Sequence, residues 1–340
     1  MGELLTCDDP AGWDAFVSRA SDASLLQSWA WGSLKSRHGW KAVTRYLWSE
    51  SGGTQGAISV LRRPLPGGLS LHYAPRGPVL NGRLDEWPGF WQALRERLGK
   101  EGGTILKVDP EWSSPSEAAA LEAVGGRPSR LPIQNQATML VDITGGDAAF
   151  ARLKESTRRN IRLGEKNGVT VEASEATAAM DIFYTLLQET GERENFVVRP
   201  RAYYQDLLAL LRERGQVAVY LARHGGRPLS GAVMLFFGRK LIYLFGGSTS
   251  AGREVKPTYL MHWRAIEDGQ RRGCTEYDMW GVPLNPNPEH AGYGYYTFKS
   301  RFNGAVVRFV GLYDLPVNRA TALTARLVER FVRSGQPEFV

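Results

Sequence analysis

Apolar and polar positions alternate along three early stretches, "AVTRYLW" (42–48), "GAISVLRR" (56–63) and "LSLHYA" (69–74), each bounded by turn residues. A period of two predicts half-buried strands. The period then changes. Trp87, Phe90, Trp91, Leu94 and Leu98 fall on one face of a helix, and the short apolar run "TILKVD" (104–109) predicts a closing strand. The same succession returns in "VAVYLA" (217–222), "SGAVMLFF" (230–237) and "LIYLFGG" (241–247). A helix then opens at Pro257, a favoured first helical position, and "TEYDMW" (275–280) closes the series. Equivalent segments start at 42 and 217, 56 and 230, 69 and 241, and 104 and 275. That is an internal repeat with an offset of about 171–175 residues.

Helical periodicity precedes each set. In the first half it covers 10–19 and 27–39. In the second, 147–168 reads as one helix, followed by a face of Met180, Phe183, Tyr184 and Leu187. Another helix opens at Pro200 and places Tyr204, Leu207, Leu208 and Leu211 together. The tail, 316–334, reads as a helix expected to return to the first unit. Two helices, three antiparallel strands, a helix and a closing strand describe an acyltransferase-type α+β unit, present twice. The expected fold class is therefore α+β, with two tandem acetyltransferase-like (GNAT-type) domains, a cleft between them and no coiled-coil arm. The expected division is 1–141 with 314–340, and 142–313.

Composition narrows the chemistry. A formal charge of +7 and a pI near 9.4 favour phosphate-bearing partners without selecting one. Two cysteines, Cys7 and Cys274, and five scattered histidines support neither a disulfide framework nor a His- or Cys-based metal centre. No stretch of about 18 apolar residues appears, and the N-terminus lacks the basic-then-apolar order of a signal peptide. A cytoplasmic protein is the expectation. There is no P-loop, and the glycines of "GGSTSAGREVKPTYL" (246–260) are not spaced to wrap a pyrophosphate, which disfavours coenzyme A.

The remaining candidates are charged groups in constrained places. Lys35 sits beside two tryptophans in "SWAWGSLK", and Arg76 lies in the Pro- and Gly-bounded turn "YAPRGPV". Arg199 and Arg201 flank Pro200 at a helix start, where backbone N–H groups attract phosphate. Arg158, Arg159 and Arg162 share a helix face that fits either an RNA backbone or plain solvent. Asp109 and Asp278 belong to the two closing strands, where a carboxylate can orient an amine, act as base or cap a turn. Most unusual is "AGYGYYTFKSRFNG" (291–304), where Tyr293, Tyr295, Tyr296 and Phe298 precede Lys299. Rings that exclude water strengthen the field of an ammonium; a lysine snorkelling from an apolar edge is the ordinary alternative.

Taken in order, "QSWAWGSLK", "YAPRGPVL", "LKVDPEW", "STRRNIRLGEKNGV", "RPRAYYQDL", "YLFGGS", "YDMWGVP" and "YTFKSRFNG" resemble the Fem family of peptidoglycan bridge-forming aminoacyltransferases, most of all its compact FemX type. The resemblance spans about residues 27–304. It implies transfer of an amino acid from aminoacyl-tRNA to the stem-peptide amine of a cell-wall precursor, either a UDP-MurNAc-pentapeptide or a lipid-linked form. It implies no cofactor, no metal and no DNA, and admits peripheral contact with the cytoplasmic membrane. By similarity Lys299, with Phe298 beside it, is the catalytic lysine. Lys35 and Arg199 would hold the precursor's diphosphate, with Tyr203 and Asp109 contributing to its site and Tyr243 lining the channel; Arg76 joins the substrate-binding candidates on its place in a rigid turn. Arg158, Arg159 and Arg162 are the candidates for tRNA contact. Thr104 and Phe245 stand where the FemX pattern has tyrosines, so those hydroxyl contacts should be missing or replaced. Outside the resemblance, an acyl-coenzyme A- or acyl-carrier-dependent N-acyltransferase and a non-catalytic RNA-binding protein remain alternatives.

Overall fold

The computed structural model describes residues 2–50, 53–81, 87–129, 132–290 and 292–318. The expected helix in the tail lies almost wholly outside these residues. The chain forms two compact units, residues 1–136 with 308–340, and residues 137–307.

The first unit runs β1 (Glu3–Thr6), α1 (Pro10–Arg19), α2 (Trp29–Arg37), β2 (Ala42–Glu50), β3 (Gly53–Pro64), β4 (Ser70–Ala74), β5 (Val79–Leu80), α3 (Trp87–Lys100), β6 (Gly103–Val108), α4 (Pro115–Ala123) and β7 (Arg127–Pro128). The second begins with β8 (Ala137–Asp142), α5 (Asp147–Arg152), α6 (Glu155–Lys166), β9 (Thr170–Ser174), α7 (Thr177–Glu194) and α8 (Arg201–Arg212). It continues with β10 (Val217–His224), β11 (Arg227–Phe237), β12 (Lys240–Ser248), α9 (Pro257–Arg271), β13 (Glu276–Gly281), α10 (Tyr293–Ser300) and β14 (Ala305–Arg308). The final strand, β15 (Tyr313–Pro316), belongs to the first unit.

The two sheets have matching orders: β1-β2-β3-β4-β6-β15-β7, with β5 on β3, and β9-β10-β11-β12-β13-β8-β14. In each, a parallel pair (β4 with β6, β12 with β13) sits among antiparallel neighbours. The matching exposes an exchange. β8 follows β7 in the chain but pairs antiparallel with β13 of the second sheet. β15 follows β14 but pairs antiparallel with β6 of the first. Each half thus ends in a strand that completes the other half's sheet. The boundaries expected at 141/142 and 313/314 lie a few residues earlier, at 136/137 and 307/308, the first because β8 goes whole with its pairing partner β13.

Each core follows the predicted faces. β11 is buried from Leu229 to Phe237 and is contacted by both α7 and α9, which explains its long apolar run. In the first unit Phe90, Trp91, Leu94 and Leu98 of α3 pack on Ile58, Val60, Leu106 and Val108. The segment 147–168 differs from its expectation as a single helix. Leu153 and Lys154 take extended backbone angles, and α5 stops before α6 begins. Arg158 explains the break: its guanidinium donates to the carbonyl oxygens of Ala151 (2.9 Å) and Leu153, satisfying the exposed end of α5.

Candidate active site

The parallel pairing of β12 with β13 extends only over Lys240–Ile242 and Glu276–Asp278. Beyond it the strands separate, and a one-residue bulge at Leu244 shifts β12 against β11. This splay opens a cavity of about 930 Å³ whose lining includes Tyr243, Gly246 and Gly247 from β12, Tyr259 from α9, and Tyr295 and Phe298 from α10. Arg193, Arg253 and Lys256 add positive charge. Glycine is required at two of these positions. A Cβ on Gly247 would stand 2.6 Å from the Leu187 backbone nitrogen of α7, and one on Gly246 would overlap the Tyr243 hydroxyl. Exposed apolar side chains stand here as well: Phe196 and Tyr295 both line the cavity.

Lys299 lies behind this wall. It is 7% exposed, and its ammonium is 5.2 Å from the Tyr295 ring centre and 5.8 Å from that of Tyr243. Tyr295 and Lys299 are four residues apart on α10 and so share a face. The ammonium donates to the carbonyl oxygens of Gly281 (2.7 Å) and Trp280 (3.4 Å). Those carbonyls are available because the splay leaves this end of β13 without its parallel partner. Two of the three donors are taken, so one is left for a ligand. Burial pulls the lysine down to about 8, against the nearby Asp278 carboxylate, which pushes the other way. At neutral pH the group remains an ammonium. The alternative of a lysine snorkelling to water does not describe this side chain.

Aromatic packing holds the arrangement. Phe298 meets Tyr259 at 5.5 Å, His262 at 5.2 Å and Phe302 at 5.5 Å between ring centres. His262 is fully buried with Nδ1 2.5 Å from the Tyr277 hydroxyl. Burial first, and the Lys299 charge second, push it down to about 3, so it is neutral. Burial raises Tyr243 to about 12, which keeps its hydroxyl protonated beside the cavity.

At the equivalent place in the first unit the charged groups are engaged with one another. Where β4 and β6 end, Asp109 accepts the backbone N–H of Arg76 (2.8 Å) and the Tyr73 hydroxyl (3.0 Å). The Arg76 guanidinium donates to the carbonyls of Asn135 (2.5 Å) and Asp109 (3.4 Å), and lies 4.4 Å from the Phe309 ring centre. Arg76 has φ 54°, a left-handed conformation stabilised by these bonds. Burial raises Asp109 to about 6, opposed by Arg76. Both residues therefore bind one another across the splay.

The other expected residues fall elsewhere. Lys35, in the last turn of α2, is largely buried with its ammonium 5.2 Å from the Trp31 ring centre. Arg199 stacks 4.7 Å from the ring centre of buried Tyr203, outside the cavity lining, and Tyr203 is pushed up to about 12 by burial. On α6, Arg158 serves the end of α5, Arg162 lies over Phe150, and Arg159 is exposed. Phe245 packs edge-on against Tyr204, and the Thr104 hydroxyl donates to Ser70 O. Sequence reasoning singled out Tyr295 only as one of four rings before Lys299, and did not select His262 or Thr138 for the site. Nothing in their local sequence distinguishes them, since their roles arise from neighbours far along the chain.

Comparison with known proteins agrees with this geometry. A model of the FemAB family matches residues 10–130, and a model of the acetyltransferase (GNAT) domain matches residues 151–300. Over residues 10–130 the chain is thus similar to the Fem family. Similar proteins include the lipid II:glycine glycyltransferase of Staphylococcus saprophyticus, 24% identical over 379 residues and covering 90% of this chain and 91% of the relative. That of Staphylococcus aureus is 24% identical over 385 residues with the same coverage. Among solved structures, FemX superposes with a TM-score of 0.88 at 22% identity, covering 95% of this chain and 99% of that one. A tandem GNAT protein from the clavulanic acid biosynthesis pathway gives 0.56 at 13% identity, covering 94% and 99%. The tandem acetyltransferase architecture expected from the internal repeat is shown. Among the described residues no helix is long and apolar enough to cross a membrane.

Proposed function

We propose that this chain is a Fem-family transferase and moves an amino acid from aminoacyl-tRNA to the stem-peptide amine of a peptidoglycan precursor. The observation that carries the proposal is the buried ammonium of Lys299 behind Tyr243 and Tyr295, two residues that line the cavity of the splayed acetyltransferase unit. The relatives named as lipid II:glycine glycyltransferases support a lipid-linked acceptor and a small donor residue.

The chemistry needs little beyond what these side chains offer. The neutral acceptor amine attacks the ester carbonyl and forms a C–N bond. The negative charge that develops on oxygen meets the free donor of Lys299. As the C–O bond breaks, the ribose oxygen leaves and takes up the proton released by the amine. A preorganised donor in a water-poor site lowers such a barrier by about 3–4 kcal/mol. Tyr243, Tyr295 and Phe298 keep water away and offer ring faces for the terminal adenosine of the donor. Lys299→Met should lower transfer at least about a hundredfold with little change in precursor affinity, as expected for a contact made in the transition state. A variant with normal turnover, assayed by mass spectrometry of the extended precursor, would refute the role.

Precursor recognition is proposed for Lys35 and Arg199, each a cation held against an aromatic ring. Lys35→Ala or Arg199→Ala should weaken precursor binding in a calorimetric titration; unchanged affinity removes that residue from the binding set. A second reading, transfer from an acyl-coenzyme A, is favoured by one feature: the cavity is lined by the turn that opens α9, including Arg253, Lys256 and Pro257. Titration with acetyl-coenzyme A separates the two, because the aminoacyl-tRNA reading predicts no tight binding.

A further inference from the structure

The Lys299 ammonium is held by two carbonyls whose direction is itself unusual. Trp280 has φ 64°, a conformation that non-glycine residues rarely adopt, and the β13–β8 register shifts between Asp278 and Gly281. Such a bulge needs an anchor. Asp278, 3% exposed, supplies one: its Oδ1 accepts the Trp280 backbone N–H at 2.8 Å and the Thr138 hydroxyl from β8. We propose that Asp278, anchored by Thr138, is a positioning residue for Lys299, fixing the left-handed turn that aims the Trp280 and Gly281 carbonyls at the ammonium and keeping that group charged.

The electrostatic surroundings agree. The groups facing Lys299 are Tyr243 from β12, Tyr295 from α10, His262 from α9 and Asp278 from β13. The two tyrosines are raised by burial and the histidine is held neutral, so none of the three offsets the ammonium. Asp278 does, raising Lys299 against its burial. A buried carboxylate acts strongly on a buried ammonium because few water molecules screen it. Asparagine at 278 would retain an acceptor for the Trp280 N–H while removing the charge.

This inference rests on the catalytic assignment of Lys299, but its primary readout does not. The full chain is prepared with ¹³C-labelled lysine, the Lys299 signal is assigned by its loss in Lys299→Met, and its titration is followed by NMR. Asp278→Asn should move the midpoint down by at least about one pH unit; an unmoved midpoint overturns the proposal. If Asp278→Asn does not fold, Thr138→Val decides in its place, with a smaller downward shift expected and no shift overturning the proposal. In transfer assays, the alkaline decline in kcat/KM should move to lower pH in Asp278→Asn, with rate partly recovered by acidification. A uniform loss of rate at every pH would mean a structural role only, and would overturn the proposal. A shifted lysine titration in a chain that transfers nothing from aminoacyl-tRNA would sink the proposed function and leave the positioning role intact.

Discussion

Lys299 has a buried charge, two carbonyl acceptors and two flanking rings, and each changes what the residue can do. Burial makes deprotonation easier than in water, to about 8. The sign follows directly: the protonated form donates to the oxyanion, so its contribution is complete below that value and lost as pH rises through it. After correction for ionisation of the acceptor amine, kcat/KM should decline with a midpoint near 8. A pH–rate series with flat alkaline behaviour up to 10 or so would contradict a protonated lysine in the reaction. The residue scale also separates candidates that looked alike in sequence. Arg76 and Lys299 are both buried cations at the splay of a GNAT-type unit. Arg76 has its guanidinium on Asp109 O and Asn135 O, whereas Lys299 retains a donor beside a cavity.

Among the elements, strands and helices with a strong period were legible before any coordinates. β2, β3, β10, β11 and β12 lie where alternation or a long apolar run placed them, and α9 opens at Pro257 as expected. Short elements were not legible. β7 and β14 carry too few residues to show a period, and the break between α5 and α6 depends on a guanidinium reaching backwards to the preceding helix. The last strand, β15, owes its place to a buried ion pair: Lys107 Nζ lies 2.6 Å from Asp314 Oδ1, with the two residues directly opposite in the ladder. Removing one partner leaves the other charge buried. Asp314→Ala should therefore destabilise the first unit by about 3–5 kcal/mol, whereas replacing both residues with apolar ones of similar size should cost far less. Chemical denaturation of the single and double variants tests this; equal losses would show that packing, not charge, holds the strand.

For the whole molecule, the reciprocal placement of β8 and β15 sets which parts of the chain can stand alone. Every described strand of the second sheet comes from the continuous segment 137–308. The first sheet needs β15, which is encoded nearly two hundred residues after β7. A fragment of residues 137–308 should fold and melt cooperatively, while a fragment of residues 1–136 should not. Circular dichroism and thermal unfolding of the two fragments check this, and a cooperative transition in the shorter one would show β15 to be dispensable.

Composition and period alone determined that two similar α+β units exist, which of the longer segments are strands, and that a lysine follows a run of aromatic residues. Those properties are local, set by side-chain polarity at spacings of two or of three to four residues. Tertiary structure decided the rest. It exchanged β8 and β15 between the two sheets, joined Asp109 to Arg76 at one splay and opened a cavity at the other, and brought Thr138, Asp278, Trp280 and Lys299 to one point. Such groupings depend on hydrogen-bond and Coulomb energies between residues distant in the chain, and no local spacing encodes them.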